Sequence, residues 1–179
     1  MTSTFDSQTL AALPVFQGLA PEEIAELQSI STLVTHPAGT TIFVENQPGD
    51  ALYAVLKGSV NIRIADSKGV DRTIATLAAG AVLGEMALVT RDLRSASAVT
   101  AEETSLLRLP SDAFAKLVND DRMAAYRVIC NLAQVAANRL REVNQRLIAL
   151  TPQEEAAPQA RKTDELAELK RKLFTEWKF

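Results

Sequence analysis

The chain has 179 residues, room for one ordinary domain and an appendage, and 47% of them are apolar, enough for a full core. A formal net charge of -3 argues against a broad nucleic-acid-binding surface, though not against a local basic site. A single cysteine, Cys130, and a single histidine, His36, exclude an intramolecular disulfide and a multi-histidine metal centre.

In chain order, the start MTSTFDSQTL lacks a basic region followed by an apolar core, so no secretory signal is expected. No run reaches about 18 uninterrupted apolar residues, and a cytoplasmic protein without a membrane span is the simple expectation. Residues 1–30 read as an N-terminal helical segment. In it LPVFQGL is an apolar link, and PEEIAELQSI opens on Pro21 with Glu22 and Glu23 in the first turn. From 31 to 110 the pattern turns to period two. ALYAVLKG, GSVNIRI, TIATL and TSLLRL are strands separated by turn signals such as Pro37-Ala38-Gly39 and Pro48-Gly49-Asp50. Such spacing predicts an antiparallel β-roll or jelly-roll barrel, and with the helices on either side an α+β fold. His36 is expected on the surface at a turn.

From 111 to 150 the period returns to 3.6. Ser111 is expected to cap a short helix around Ala113–Leu117, and a long helix runs on from about Arg122 to Leu150. Cys130 lies within it and is expected to be a small core residue. Ile129, Ala133, Ala136, Leu140, Val143, Leu147 and Leu150 form a heptad seam, which favours a parallel homodimer over a helix lying only on its own roll. Residues 151–162 read as a Pro/Glu/Ala-rich linker. Residues 163–179 read as an amphipathic terminal helix, with Leu166, Leu169, Leu173 and Trp177 on one stripe. No nucleophile–base pair or metal cluster is apparent, so an enzyme is not expected.

Within the roll, LGEMALVTRDLRSASAV (residues 83–99) sets Glu85 and Arg94 among small and apolar neighbours. An internal Glu85–Arg94 salt bridge would account for them without a ligand. The alternative is a guest. A short helix opening at Gly84 would aim its first N–H groups at an anion, and Arg94 offers a planar fork for phosphate. Glu85 can only accept, which suits a sugar hydroxyl. Acid and arginine together describe a nucleotide pocket.

GEMALVTRDLRSASAV resembles the phosphate-binding cassette of the cyclic nucleotide-binding domain family, Gly-Glu-aliphatic-Ala-Leu and then, after a short gap, Arg-(Ser/Thr/Ala)-Ala. PAGTTIFVENQPGDALYAVLKGSVNI is similar to the family's early strands, and the resemblance extends over about residues 10 to 150. It implies cAMP or cGMP as regulatory ligand, with cAMP favoured, and no metal. Gly84, Glu85, Met86, Ala87, Arg94, Ser95 and Ala96 are the implied ligand-binding residues. By resemblance Glu85 takes the ribose 2′-hydroxyl, and Arg94 takes the phosphate with the amides of Ser95 and Ala96. Asn138, Arg139, Arg141 and Asn144 are candidates to cap the base from the long helix. Three positions depart from the family pattern: Leu93 for proline, Asn46 for glycine and Leu83 for an aromatic residue. The stretch beyond Leu150 is too short for a winged helix-turn-helix or kinase module, so a stand-alone sensor is expected, signalling to a protein partner through its C-terminal helix. A non-binding dimeric scaffold and a DNA-associated regulator are the alternatives.

Overall fold

The computed structural model describes residues 7–85 and 92–150; Met86, Ala87 and the segment from 151 onward lie outside them. The chain divides into two compact units, Met1–Asn138 and Arg139–Phe179.

The N-terminal segment is broken rather than continuous. Helix α1 (Ser7–Ala11) gives way to a 3-10 turn at Pro14–Phe16, because Pro14 cannot continue an α-helix; α2 (Pro21–Ile30) then restarts. Pro21 occupies its first turn, and the Glu23 carboxylate accepts the Ala20 N–H at 2.7 Å.

Eight strands come next: β1 (Thr32–His36), β2 (Thr41–Phe43), β3 (Ala51–Lys57), β4 (Ser59–Ala65), β5 (Asp71–Ala78), β6 (Val82–Leu83), β7 (Ser97–Thr100) and β8 (Thr104–Pro110). They form two antiparallel four-stranded sheets, ordered β1-β8-β3-β6 and β2-β7-β4-β5. The fold is α+β, a β-roll flanked by helices, as expected. His36 ends β1 and is half-buried.

Strand β3 explains itself through two cores. Ala51, Tyr53 and Val55 join Val60, Leu83, Ala98 and Leu106 between the sheets. Leu52 and Ala54 project the other way, onto a second core with Leu107, Leu109, Leu27, Phe114, Val128 and Leu132. A strand buried on both faces reads as the unbroken apolar run ALYAV, whereas β4, half-exposed, alternates.

Helix α3 (Ser111–Asn119) starts at its expected cap residue, so the cap falls one residue earlier. Pro110 takes the cap position, and the Ser111 hydroxyl is buried without a partner. Helix α4 (Met123–Leu150) buries Ala124, Ala125, Val128 and Leu132. Cys130 falls on the opposite side of this face and is exposed, which corrects its expected place in the core. Of the seam, Ile129 packs against the helical core, while Leu140, Val143 and Leu147 are exposed. The first turns of α4 are clasped by the N-terminal segment. Arg122 pairs with Glu26 at 2.6 Å, Arg127 donates to the Gly18 carbonyl at 2.7 Å, and Asn131 donates to the Val15 and Gln17 carbonyls at 3.0 and 2.9 Å.

Candidate nucleotide site

The site is built where the end of β6 meets the segment entering β7. Gly84 succeeds β6 with a φ of +81°, a conformation that favours glycine. A Cβ there would collide with Arg94 Nη1 and lie 3.0 Å from the Ala51 carbonyl oxygen. The pair Gly84–Arg94 is therefore a close-contact unit. Nη1 donates to the Gly84 carbonyl at 3.2 Å, which brings the two ends of the 83–99 stretch together although ten residues separate them.

Arg94 is buried, its side chain 1% exposed. Nη2 donates to the Ala51 carbonyl at 2.7 Å and to Asp50 Oδ1 at 3.2 Å, and the guanidinium sits 4.1 Å from the centre of the Phe43 ring. Nε is buried with no partner. Its main chain is held as firmly: the Arg94 N–H donates to Gln47 O, and its carbonyl accepts the Asn46 N–H, both at 2.8 Å. Asn46 adopts a φ of 64°, the left-handed geometry that asparagine tolerates in place of glycine. Leu93, where the family carries proline, is exposed and forms an isolated bridge with Pro48. Leu83 is buried in the roll core.

Asp50, present in the sequence only as part of a Gly-Asp turn, is the hub. Its Oδ1 meets Arg94, its Oδ2 meets Arg108 at 2.7 Å, and its backbone carbonyl accepts the Ser111 N–H at 2.8 Å. Burial pushes the Asp50 carboxyl up, but the hydrogen bond and charge of Arg108, joined by Arg94, hold it below the usual carboxylate range. Arg108 is raised in turn, first by its hydrogen bond to Asp50. Asp50 itself is 63% exposed, so the carboxylate that pairs with the buried Arg94 among the described residues is largely solvated. A buried cation so thinly compensated is a place for a second anion.

Glu85 is half-buried beside Gly84; Ser95 is exposed and Ala96 is buried next to Arg94. Met86 and Ala87 fall outside the described residues. On α4, Asn138 is exposed and accepts a hydrogen bond from Gln134 at 3.2 Å. Arg139 is half-buried in the second unit, where Arg141 and Asn144 are exposed. Among the described residues no group of three His, Cys, Asp or Glu side chains is placed to hold a metal, and no helix is long and apolar enough to cross a membrane.

Comparison with known proteins agrees with this architecture. The chain is 38% identical over 141 residues to the "Cyclic AMP receptor protein" of Thermus thermophilus, covering 79% of this chain and 63% of that protein. It is 34% identical over 146 residues to "Glutaminase 1" of Bradyrhizobium diazoefficiens, covering 82% of this chain but 23% of that protein. Among solved structures, a cyclic nucleotide-binding domain from Methylobacillus flagellatus superposes with a TM-score of 0.72 at 29% identity, over 83% of each chain. Residues 33–121 match the family profile described as "Cyclic nucleotide-binding domain". With its β-roll, its Gly84–Arg94 contact and these relatives, the chain belongs to the cyclic nucleotide-binding domain family.

Proposed function

We propose that the chain is a cyclic nucleotide sensor, with cAMP favoured over cGMP, that holds the ligand phosphate on Arg94 and the ribose on Glu85. The observation that carries this reading is Arg94: a buried guanidinium with, among the described residues, one largely solvated carboxylate and an orphaned Nε. A phosphate supplies the missing charge and acceptors together. Gly84 lies on the sugar side and the amides of Ser95 and Ala96 complete the cradle; Met86 and Ala87 are assigned to the ligand by the family resemblance alone. Asn138, Arg139, Arg141 and Asn144 are the polar groups of α4 offered to the base. cAMP is favoured because the Thermus relative and a 29% identical Mycobacterium tuberculosis regulator, described as cAMP-activated, carry it in their names.

The way out of the site runs through Asp50. Phosphate oxygens compete with its carboxylate for Arg94, while its carbonyl holds the start of α3 through Ser111. Exchange at Arg94 thereby biases the position of α3 and α4, a shift between two populations rather than a new contact. The exposed stripe of α4 is the output surface, pairing with a second copy or with a protein partner.

A second reading has its own support. Three internal acceptors already engage Arg94, as in a non-binding dimeric scaffold. Calorimetric titration with cAMP and cGMP separates the two. Binding by the wild type, weakened at least tenfold in Arg94→Lys and Glu85→Gln chains that still melt cooperatively, supports the sensor. Absence of heat with either nucleotide in the wild type selects the scaffold.

A further inference from the structure

Strand β8 alternates between two environments. Leu107 and Leu109 face the helical core, while Leu106 faces the core between the sheets. Arg108 therefore shares the side of Leu106, and its register partner on β3 is Tyr53, a member of the same inter-sheet core. An arginine sent into a roll is costly unless its donors are met. Arg108 stays 30% exposed, is hydrogen-bonded to the Tyr53 side chain, and donates from Nη2 to Asp50 Oδ2 at 2.7 Å. Arg94 reaches the other oxygen of the same carboxylate at 3.2 Å. The two distances decide which arginine holds it. Charge-assisted N–H···O bonds run at about 2.7–2.9 Å, so the Arg108 contact is a full bond and the Arg94 contact a stretched one. The short bond of Arg94 Nη2, also 2.7 Å, goes instead to the neutral Ala51 carbonyl. Burial raises the Asp50 carboxyl, and against it Arg108 acts more strongly than Arg94 to hold it below the usual range.

We propose that Arg108 is a positioning residue of the nucleotide site: by holding Asp50 it keeps that carboxylate from closing on Arg94 and leaves the guanidinium to the phosphate. This role rests on Arg94 being the phosphate anchor proposed above. Arg108 need not touch the ligand, and replacing it removes no contact of Arg94 itself. Without it, Asp50 has Arg94 as its one salt-bridge partner among the described residues and closes the 3.2 Å gap, giving the phosphate a stronger internal competitor. When the phosphate takes Arg94, Asp50 keeps a partner in Arg108, so exchange strands no carboxylate beside a filled site. The main chain does not follow the side chain. The Asp50 carbonyl retains the Ser111 N–H, and Ala51 stays paired with Pro110. An ion pair whose only task was to fasten the Gly-Asp turn would affect stability and leave affinity alone.

Calorimetry with cAMP on the full chain tests this in a double-mutant cycle of Arg108→Ala and Asp50→Ala, with a thermal melt of each variant as the folding control. Arg108→Ala is expected to bind about two- to fivefold more weakly than the wild type, the span of a part-exposed ion pair. In the Asp50→Ala background the same substitution should change nothing, and Arg108→Lys in the wild-type background should recover part of the loss. Arg108→Gln takes the place of the alanine if that chain does not melt cooperatively. A second measurement needs no nucleotide. NMR titration of the Asp50 carboxyl should find it ionising at higher pH in Arg108→Ala than in the wild type. Unchanged or tighter binding by Arg108→Ala overturns the proposal, as does a loss that persists in full without Asp50. An Asp50 titration indifferent to Arg108 overturns it too, because the carboxylate is then not in the hold of Arg108. Absence of heat from the wild type is a separate result: it removes the sensor reading, and this proposal with it, before any variant is compared.

Discussion

Replacing Asp50 with alanine tests whether the aspartate competes with phosphate or orients Arg94 for it. At 3.2 Å a unit charge pair is worth about 1.3 kcal/mol at the dielectric of water and about 5 kcal/mol at an effective dielectric of 20. Arg94 is 1% exposed but Asp50 is 63% exposed, so the pair belongs near the aqueous end, and about 1–3 kcal/mol is the expected loss of stability. The Ser111 N–H bond is to the backbone and survives the substitution. If Asp50 holds Arg94 only in the free protein, the same energy returns with opposite sign on binding. Asp50→Ala should then unfold at lower urea concentration and bind cAMP on the order of tenfold more tightly. Arg108→Ala is the control, since it removes the other partner of Asp50 and leaves Arg94 untouched. Urea unfolding and calorimetry on the three chains make the comparison. Weaker cAMP binding by Asp50→Ala would refute competition and leave Asp50 as a residue that aims the guanidinium.

The same geometry sets two further outcomes. The Asp50 carboxyl is depressed in the folded chain, so its contribution is present above the unfolded value of 3.8 and is lost as pH falls through the lower folded value. An Asp50→Asn chain should show a flatter stability profile than the wild type across about pH 5 to 2, measured by thermal melts, with no difference between the profiles' slopes near neutrality. Gly84→Ala should cost about 2–4 kcal/mol, combining a positive φ with a collision against Arg94, whereas Gly39→Ala, at a φ of +78° with nothing near its added Cβ, should cost about 1 kcal/mol. Equal losses in the two urea titrations would remove the argument from close approach.

The roll was legible because its strands obey simple periods. β4 alternates, β3 is apolar from Ala51 to Leu56, and both patterns reflect which faces are covered. Pro21 marked the start of the second N-terminal helix, whereas the break at Pro14 was not read from the sequence. The shortest strands, β2 and β6, have three and two residues, too few for any period to emerge. Cys130 was misplaced because a helical run alone does not say which face is inward; the set Ala124, Ala125, Val128 and Leu132 does, and it leaves residue 130 outside. The motif named Gly84 and Arg94 as residues of one candidate site, but not the direct contact between them. The role of Asp50 could not be read, since its partners Arg94 and Arg108 lie 44 and 58 residues away and a Gly-Asp turn is ordinary.

The clasp on α4 bears on how the chain comes to be folded. Asn131 reaches back 116 and 114 residues to Val15 and Gln17, Arg127 reaches back 109 to Gly18, and Arg122 reaches back 96 to Glu26. During synthesis the first two helices must wait, with Leu10, Phe16 and Leu27 uncovered, until the whole roll and the start of α4 have left the ribosome. Contacts this distant in sequence close late and slowly. A lesion in the Val15–Gly18 link should therefore be felt first as aggregation of newly made chains, before any loss in the finished protein.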